Sequence, residues 1–139
     1  MRTLGVIALL VLVGTHCKIV DRCALARAAV DGGLRENAAN LVCLAAYASK
    51  YDTSLHRLST DFGVFQINSE YWCDDYTTIG RKNLCGIPCS TLLDDCLCDD
   101  MKCVARILQE PEGFESWDPW KKYCKDKDLS SYLENCTLS

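Results

Sequence analysis

The sequence lacks a basic surplus: 15 lysines and arginines stand against 19 aspartates and glutamates, a formal charge of -4. That argues against a broad surface for nucleic acid or anionic membrane, since such surfaces neutralise phosphates with clustered cations. There is no low-complexity linker, no internal repeat and no run of like charge beyond two residues. At 139 residues, one domain acting as a monomer is the simplest organisation. After the first 17 residues no apolar stretch approaches the roughly 20 residues that span a bilayer.

Cysteine, by contrast, is plentiful. Eleven cysteines are about 8 per cent of the chain, near the level of a disulfide scaffold, and point away from a reducing cytosol. The odd number needs an account. Met1-Arg2 opens a short basic segment, Leu4 to Val13 is apolar, and Gly14-Thr15-His16-Cys17 follows before Lys18. Residues 1–17 read as a secretory signal peptide cleaved near Cys17. The alternative is a membrane anchor, but the run is about ten residues, half of a span. Cleavage leaves residues 18–139 as the domain: 122 residues (139 less 17), ten cysteines and a charge of -5 (14 basic less 19 acidic). Ten cysteines fit five bridges, or four bridges and two special thiols.

Cys23 to Val30 is Ala-rich and helical, with Gly32-Gly33 as its stop. Glu36 to Ser49 predicts a second helix, with Leu41, Leu44, Ala45 and Ala48 on one face. Thr60 to Asn68 is rich in aromatic and β-branched residues, breaks at Gly63, and reads as a short strand or hairpin. Cys73 to Cys89 carries Gly80, Gly86, Pro88 and closely spaced cysteines, the composition of a stapled loop. Asp99 to Leu108 returns to helix, with Met101, Val104, Ile107 and Leu108 as its apolar stripe. Phe114, Trp117, Trp120 and Tyr123 anchor a last short helix. Helices with a small β-insert make the fold class α+β.

Two stretches are specific. One is Ser59-Thr60-Asp61-Phe62-Gly63-Val64-Phe65-Gln66-Ile67-Asn68-Ser69 with Tyr71-Trp72-Cys73; the other is Asn83-Leu84-Cys85-Gly86-Ile87-Pro88-Cys89-Ser90-Thr91-Leu92-Leu93. With the opening Lys18-Ile19-Val20-Asp21-Arg22-Cys23 and the segment from Phe114 to Cys124, they resemble the c-type lysozyme and α-lactalbumin family over essentially the whole of residues 18–139. The resemblance implies a lysozyme-like fold, a helical lobe and a small β-lobe with a cleft between them. It also implies the bridges Cys23–Cys136, Cys43–Cys124, Cys73–Cys89 and Cys85–Cys103. Cys96 and Cys98 fall outside that framework. They are open to a local bridge closing a very small loop, a pair of free thiols, a link to another chain, or a redox or metal role.

Hydrolysis of a glycosidic bond generally needs two carboxyl groups, one to protonate the leaving oxygen and one to stabilise or attack the anomeric carbon. The resemblance puts Asp61 at the second position. The acid should stand five residues after Cys43, where this chain has Ala48 and then Ser49. Alanine has no proton to give, so the reading leans away from an enzyme. Asp52 is the candidate substitute: four residues on, a continued helix would set it on the same face, about 5.4 Å away. Otherwise it is a solvated or turn-capping residue. Asp61 also has a plain reading as a turn residue.

Other positions resemble saccharide sites. Gln66 and Asn68 alternate on the expected strand and offer amides to sugar hydroxyl and acetamido groups. Tyr71, Trp72 and Trp117 offer flat faces to a pyranose, and Trp120 is assigned to the core. Relative to typical active members, the segment from Ala48 to Asp61 is short and carries Ser54-Leu55-His56-Arg57-Leu58, which reshapes one cleft wall. His56 is given no role. Asn135-Cys136-Thr137 satisfies a glycosylation sequon, with its middle cysteine assigned to a bridge.

Thr91 to Asp100 has a second signature. Calcium takes six to eight hard oxygens. The resemblance makes Asp94, Asp99 and Asp100 carboxylate ligands and Thr91 and Cys96 backbone-carbonyl ligands of a structural Ca2+ site. Without a cation, these acids are a helix N-terminal charge and solvated neighbours. The expectation is therefore a secreted, calcium-binding protein that recognises N-acetylglucosamine-containing glycans of peptidoglycan or chitin, with little or no hydrolysis and a role in innate immunity. Its rivals are an active muramidase with a substitute acid and an α-lactalbumin-like modulator of another protein.

Overall fold

Asp21 starts the first helix. Its Oδ2 accepts the backbone N–H of Cys23 at 3.0 Å and of Ala24 at 3.1 Å, satisfying two of the donors a helix start leaves open. These distances come from a computed structural model that describes residues 18–139; the expected leader and its cleavage point lie outside the described residues. Helix α1 runs Arg22–Asp31 and buries Leu25, Ala26 and Ala29. Gly33, with φ of +81°, turns the chain out of it.

The expected second helix is a 3-10 turn, Arg35–Asn37, followed by α2, Ala38–Ala48. Ala38, Leu41, Val42, Cys43, Leu44, Ala45 and Ala48 are all buried, so α2 is covered nearly all round, against α1 and α4 among others. It stops at Ala48, because Lys50 and Tyr51 take left-handed φ of 54° and 66°.

The β-lobe is three two-residue strands: β1 His56–Arg57, β2 Asp61–Phe62 and β3 Ile67–Asn68, antiparallel in that order. Arg57 pairs with Asp61, Asp61 with Asn68 and Phe62 with Ile67. The reshaped segment is thus β1 and its turn: His56 stacks on Phe62 at 4.0 Å, and Leu58 and Ser59 both have positive φ. The loop that follows is held by Asp74–Arg81 and by the Asp75 carboxylate, which accepts from Thr78 Oγ1 and from the N–H groups of Thr77 and Thr78. The Thr78 side-chain bond leads in holding that carboxyl below its usual range.

A 3-10 turn, Cys89–Leu93, leads to α3, Cys98–Ile107, which buries Met101, Cys103, Val104 and Ile107. After a 3-10 turn at Gly113–Ser116 comes α4, Asp118–Tyr123, and a last 3-10 turn at Ser130–Leu133. Leu25, Leu41, Leu44, Phe65, Ile67, Leu92, Val104 and Ile107 belong to one continuous core under both lobes. The cysteines pair as Cys23–Cys136, Cys43–Cys124, Cys73–Cys89 and Cys85–Cys103, with a fifth bridge, Cys96–Cys98. Among the described residues, no helix is long and apolar enough to cross a membrane.

Candidate functional site

Where the end of α2 meets the sheet, the two lobes leave an open cleft of about 840 Å³. Ala48 is part of its lining; only 3 % of its surface is exposed. Its neighbour Ser49 has no free hydroxyl: Oγ is 2.6 Å from the Val64 carbonyl and 3.2 Å from that of Ala45. Asp61 lines the same cleft from β2. Asn68, its cross-strand partner, donates Nδ2–H to Asp61 Oδ1 at 3.1 Å, and the Thr60 hydroxyl lies 3.4 Å from that oxygen. The sheet register therefore fixes the Asp61 carboxylate in the cleft whose lining includes the Ala48 methyl group.

Asp52 does not stand in for the missing acid. The rescue needed α2 to continue, and α2 ends one turn too soon. Asp52 instead bridges the N-terminal segment through Ile19 and caps a turn, its Oδ1 accepting from Ser54 N and Ser54 Oγ, both at 2.9 Å. It is not part of the cleft lining.

Gln66 and Trp117 both line the cleft, and the strand placement expected for Gln66 needs correction. Gln66 is not a strand residue; its φ of 49° places it in the turn before β3, where Nε2 donates to the carbonyls of Leu55 (2.9 Å) and Gly63 (2.8 Å). Its amide N–H is spent on the turn, while Oε1 is buried without a partner. Trp117 is a wall rather than a platform. It is 7 % exposed, and its Nε1–H donates to the Phe65 carbonyl at 2.9 Å, tying the helical lobe to the β-turn. Asn68 also has both amide ends engaged, since Oδ1 accepts from Glu70 N at 2.7 Å. The open faces belong to Tyr71, 45 % exposed, and to half-buried Trp72, tilted 51° against it. Trp120 stacks on Phe114 and donates Nε1–H to Asn40 Oδ1 at 2.8 Å, packed on the core as expected.

The sequence reading missed the rest of the lining. Glu70, Glu110, Glu112 and Asp118 bring acid to the rim, and Arg57 and Lys82 bring base. Glu110 is paired with Arg106 at 2.6 Å, and Asp118 with Lys121 at 3.4 Å. No local motif marks these residues; the β-lobe and the loop after it bring Arg57, Glu70 and Lys82 to the cleft, and the segment after α3 brings the others.

The acidic elbow lies behind the sheet. Asp100 is 1 % exposed, and its Oδ1 has no hydrogen-bond partner. Burial pushes its carboxyl up to about 8, with the charges of Asp94 and Asp99 adding to the effect. Its other oxygen faces Gly63: a Cβ built there would lie 3.1 Å from Asp100 Oδ2 and would collide with the Leu92 carbonyl. Asp94 Oδ1 accepts from Cys96 N at 3.1 Å, and Thr91 Oγ1 donates to the Pro88 carbonyl. Among the described residues no three carboxylate, thiol or imidazole groups converge to hold a metal. The donors fit a hard cation in kind, and Asp100 fits as an orphaned buried oxygen. The closing of Asp94 and Asp99 onto it is not preformed.

Known proteins with this pattern are numerous. A family model described as C-type lysozyme/alpha-lactalbumin family matches residues 15–136. Lysozyme C-3 of Sus scrofa is 43 % identical over 148 residues, covering 99 % of this chain and all of that protein. Lysozyme C II of Oncorhynchus mykiss is 42 % identical over 140 residues, 95 % of this chain and 97 % of its own. Lysozyme C-1 of Rattus norvegicus is 40 % identical over 146 residues, 98 % and 99 % of the two chains. With its helices, small antiparallel sheet and paired cysteines, the chain belongs to the C-type lysozyme/alpha-lactalbumin family.

Proposed function

We propose that this is a secreted, monomeric glycan-binding member of the family, with little or no hydrolysis of the peptidoglycan or chitin it recognises. The observation that carries the reading is Ala48, a methyl group beside the retained Asp61 in an otherwise formed cleft. Protonation of the leaving oxygen by a positioned acid contributes about 10²–10⁴ in rate, and neither Ser49 nor Asp52 offers it. Binding would rest on Tyr71 and Trp72 as stacking faces, Trp117 as a wall, and the backbone around Gln66 and Asn68 as polar partners. Secretion is supported by the apolar N-terminal run and the dense disulfides.

Calcium belongs to the same proposal. Asp94, Asp99 and Asp100 would hold the ion with the carbonyls of Thr91 and Cys96, and it would supply the countercharge that buried Asp100 lacks. The vacant acid position at Ala48, taken with the acidic elbow, also fits a second reading, an α-lactalbumin-like modulator of a protein partner, in which the cleft is vestigial. The test is a cell-wall lysis assay paired with calorimetry against chitotriose, on the wild type and on Ala48→Glu. Glycan binding without turnover in the wild type supports the proposal. Efficient wild-type lysis sinks it, and absence of glycan binding in both proteins moves the weight to the second reading.

A further inference from the structure

Four of the five bridges close loops with sequence separations of 113, 81, 16 and 18, while the fifth joins Cys96 to Cys98 with a separation of 2. A crosslink stabilises mainly by closing a loop in the unfolded chain, so the short one contributes least to holding the fold together. It is also the most accessible. Both of its cysteines are exposed, whereas every other bridged cysteine is buried or half-buried. Cys98 additionally borders a groove of about 670 Å³, walled by Val20, Ala28 and Met101 and rimmed by Lys18, Lys102, Asp31 and Asp95.

The bridge also sits where a helix begins. Leu97 is the N-cap of α3, with no side-chain cap, and its carbonyl accepts the first intrahelical bond from Met101 N at 2.9 Å. The Cys96–Cys98 ring encloses Leu97 and so restrains the chain where it enters the helix. Asp99 and Asp100 occupy the first turn that it holds.

We propose that Cys96–Cys98 is a reversible thiol–disulfide exchange site, a clasp whose opening loosens the elbow and the first turn of α3 while the other four bridges stay closed. A dithiol supplies the electrons. One of its thiolates attacks a bridge sulfur, forming a mixed disulfide and releasing the other cysteine as a thiolate. Its second thiol then closes on the mixed disulfide, leaving as a cyclic disulfide and releasing the second cysteine. The protein gains two electrons and two protons, and the dithiol loses them. Exchange is governed by access to the sulfur. The flanking aspartates repel an anionic thiol, so the suitable probe is uncharged dithiothreitol. The inference is independent of glycan binding.

The experiment titrates the folded protein with dithiothreitol, alkylates free thiols and maps them by mass spectrometry, following amide exchange in parallel. The expected result is complete alkylation of Cys96 and Cys98 at a dithiol concentration at least tenfold below that opening any other bridge. Faster exchange should be confined to residues 94–101. The double variant Cys96→Ser/Cys98→Ser should show the same local exchange and no response to that dithiol concentration. Opening of another bridge at the same concentration overturns the proposal. So does selective opening with unchanged exchange at residues 94–101, or a double variant that exchanges like the oxidised wild type.

Discussion

At the cleft, Ala48 puts a methyl group where the resemblance implies a carboxyl group, and Asp61 has no acid at the end of α2 to work with. At the elbow, Asp100 puts a carboxyl group where packing calls for something neutral, and one of its oxygens is left without any partner. The two regions touch at Gly63, whose turn carries the cleft strands on one side and meets Asp100 on the other. The cleft spares the fold an awkward buried acid at the end of α2. The elbow keeps an awkward buried acid, which either holds its proton or needs a cation to balance its charge.

The sharpest way to break the contrast is to give the cleft its acid. Ala48→Glu should raise cell-wall lysis by about 10²–10⁴, and adding Asp61→Asn should abolish the gain; lysis assays on the single and double variants decide. Gly63→Ala attacks the point where both regions meet. The left-handed φ of +82° and the collision with the Leu92 carbonyl predict a loss of roughly 3 kcal/mol, read in denaturant unfolding. A loss below about 1 kcal/mol would mean that the turn and elbow are not rigidly apposed.

Calcium tests the elbow alone. At a hundredfold excess over Kd it should add about 2.7 kcal/mol, on the order of 10 °C in Tm for a domain of this size. Identical melting curves in calcium and EDTA, or an unchanged calcium response in Asp100→Asn, would remove the site. The sign of the pH response in EDTA follows from the raised carboxyl. The folded protein holds this proton up to about 8, whereas the unfolded chain releases it near 4. The contribution of protonated Asp100 is fully present below about 4 and is lost as pH rises toward 8. Tm in EDTA should therefore fall across that window, and Asp100→Asn should flatten the slope. The smallest effect belongs to the reshaped cleft wall: Ser59→Gly relieves one of two adjacent left-handed residues and should stabilise by about 1 kcal/mol, seen as a small rise in Tm.

Much of this architecture is legible in the sequence because it rests on local chemistry. Ala-rich spacing and Gly33 bound α1, and the apolar periodicity of Asp99 to Leu108 marks α3 to within a residue. What the sequence hides depends on backbone turns and on distance in space. The left-handed Lys50 and Tyr51, neither a residue that signals such a turn, end α2 and carry Asp52 away from the cleft. Gln66 looks like part of an alternating strand until its φ is known, and then its amide becomes the brace of a turn. Trp117 could be assigned to the cleft but not to near-complete burial, which depends on a carbonyl 52 positions away. The acids at 70, 110, 112 and 118 meet only through folding.

The bridge between Cys23 and Cys136 has a mechanical consequence. It ties α1 to the last segment of the chain, so a pull on the two ends is carried by the covalent link rather than by the core. Only residues 18–22 and 137–139 of the described chain lie outside that ring. Fully drawn out, they lengthen the molecule by at most roughly 28 Å. Under tension the cleft and the elbow are thus shielded by topology alone, and the molecule should resist stretching as a closed loop does.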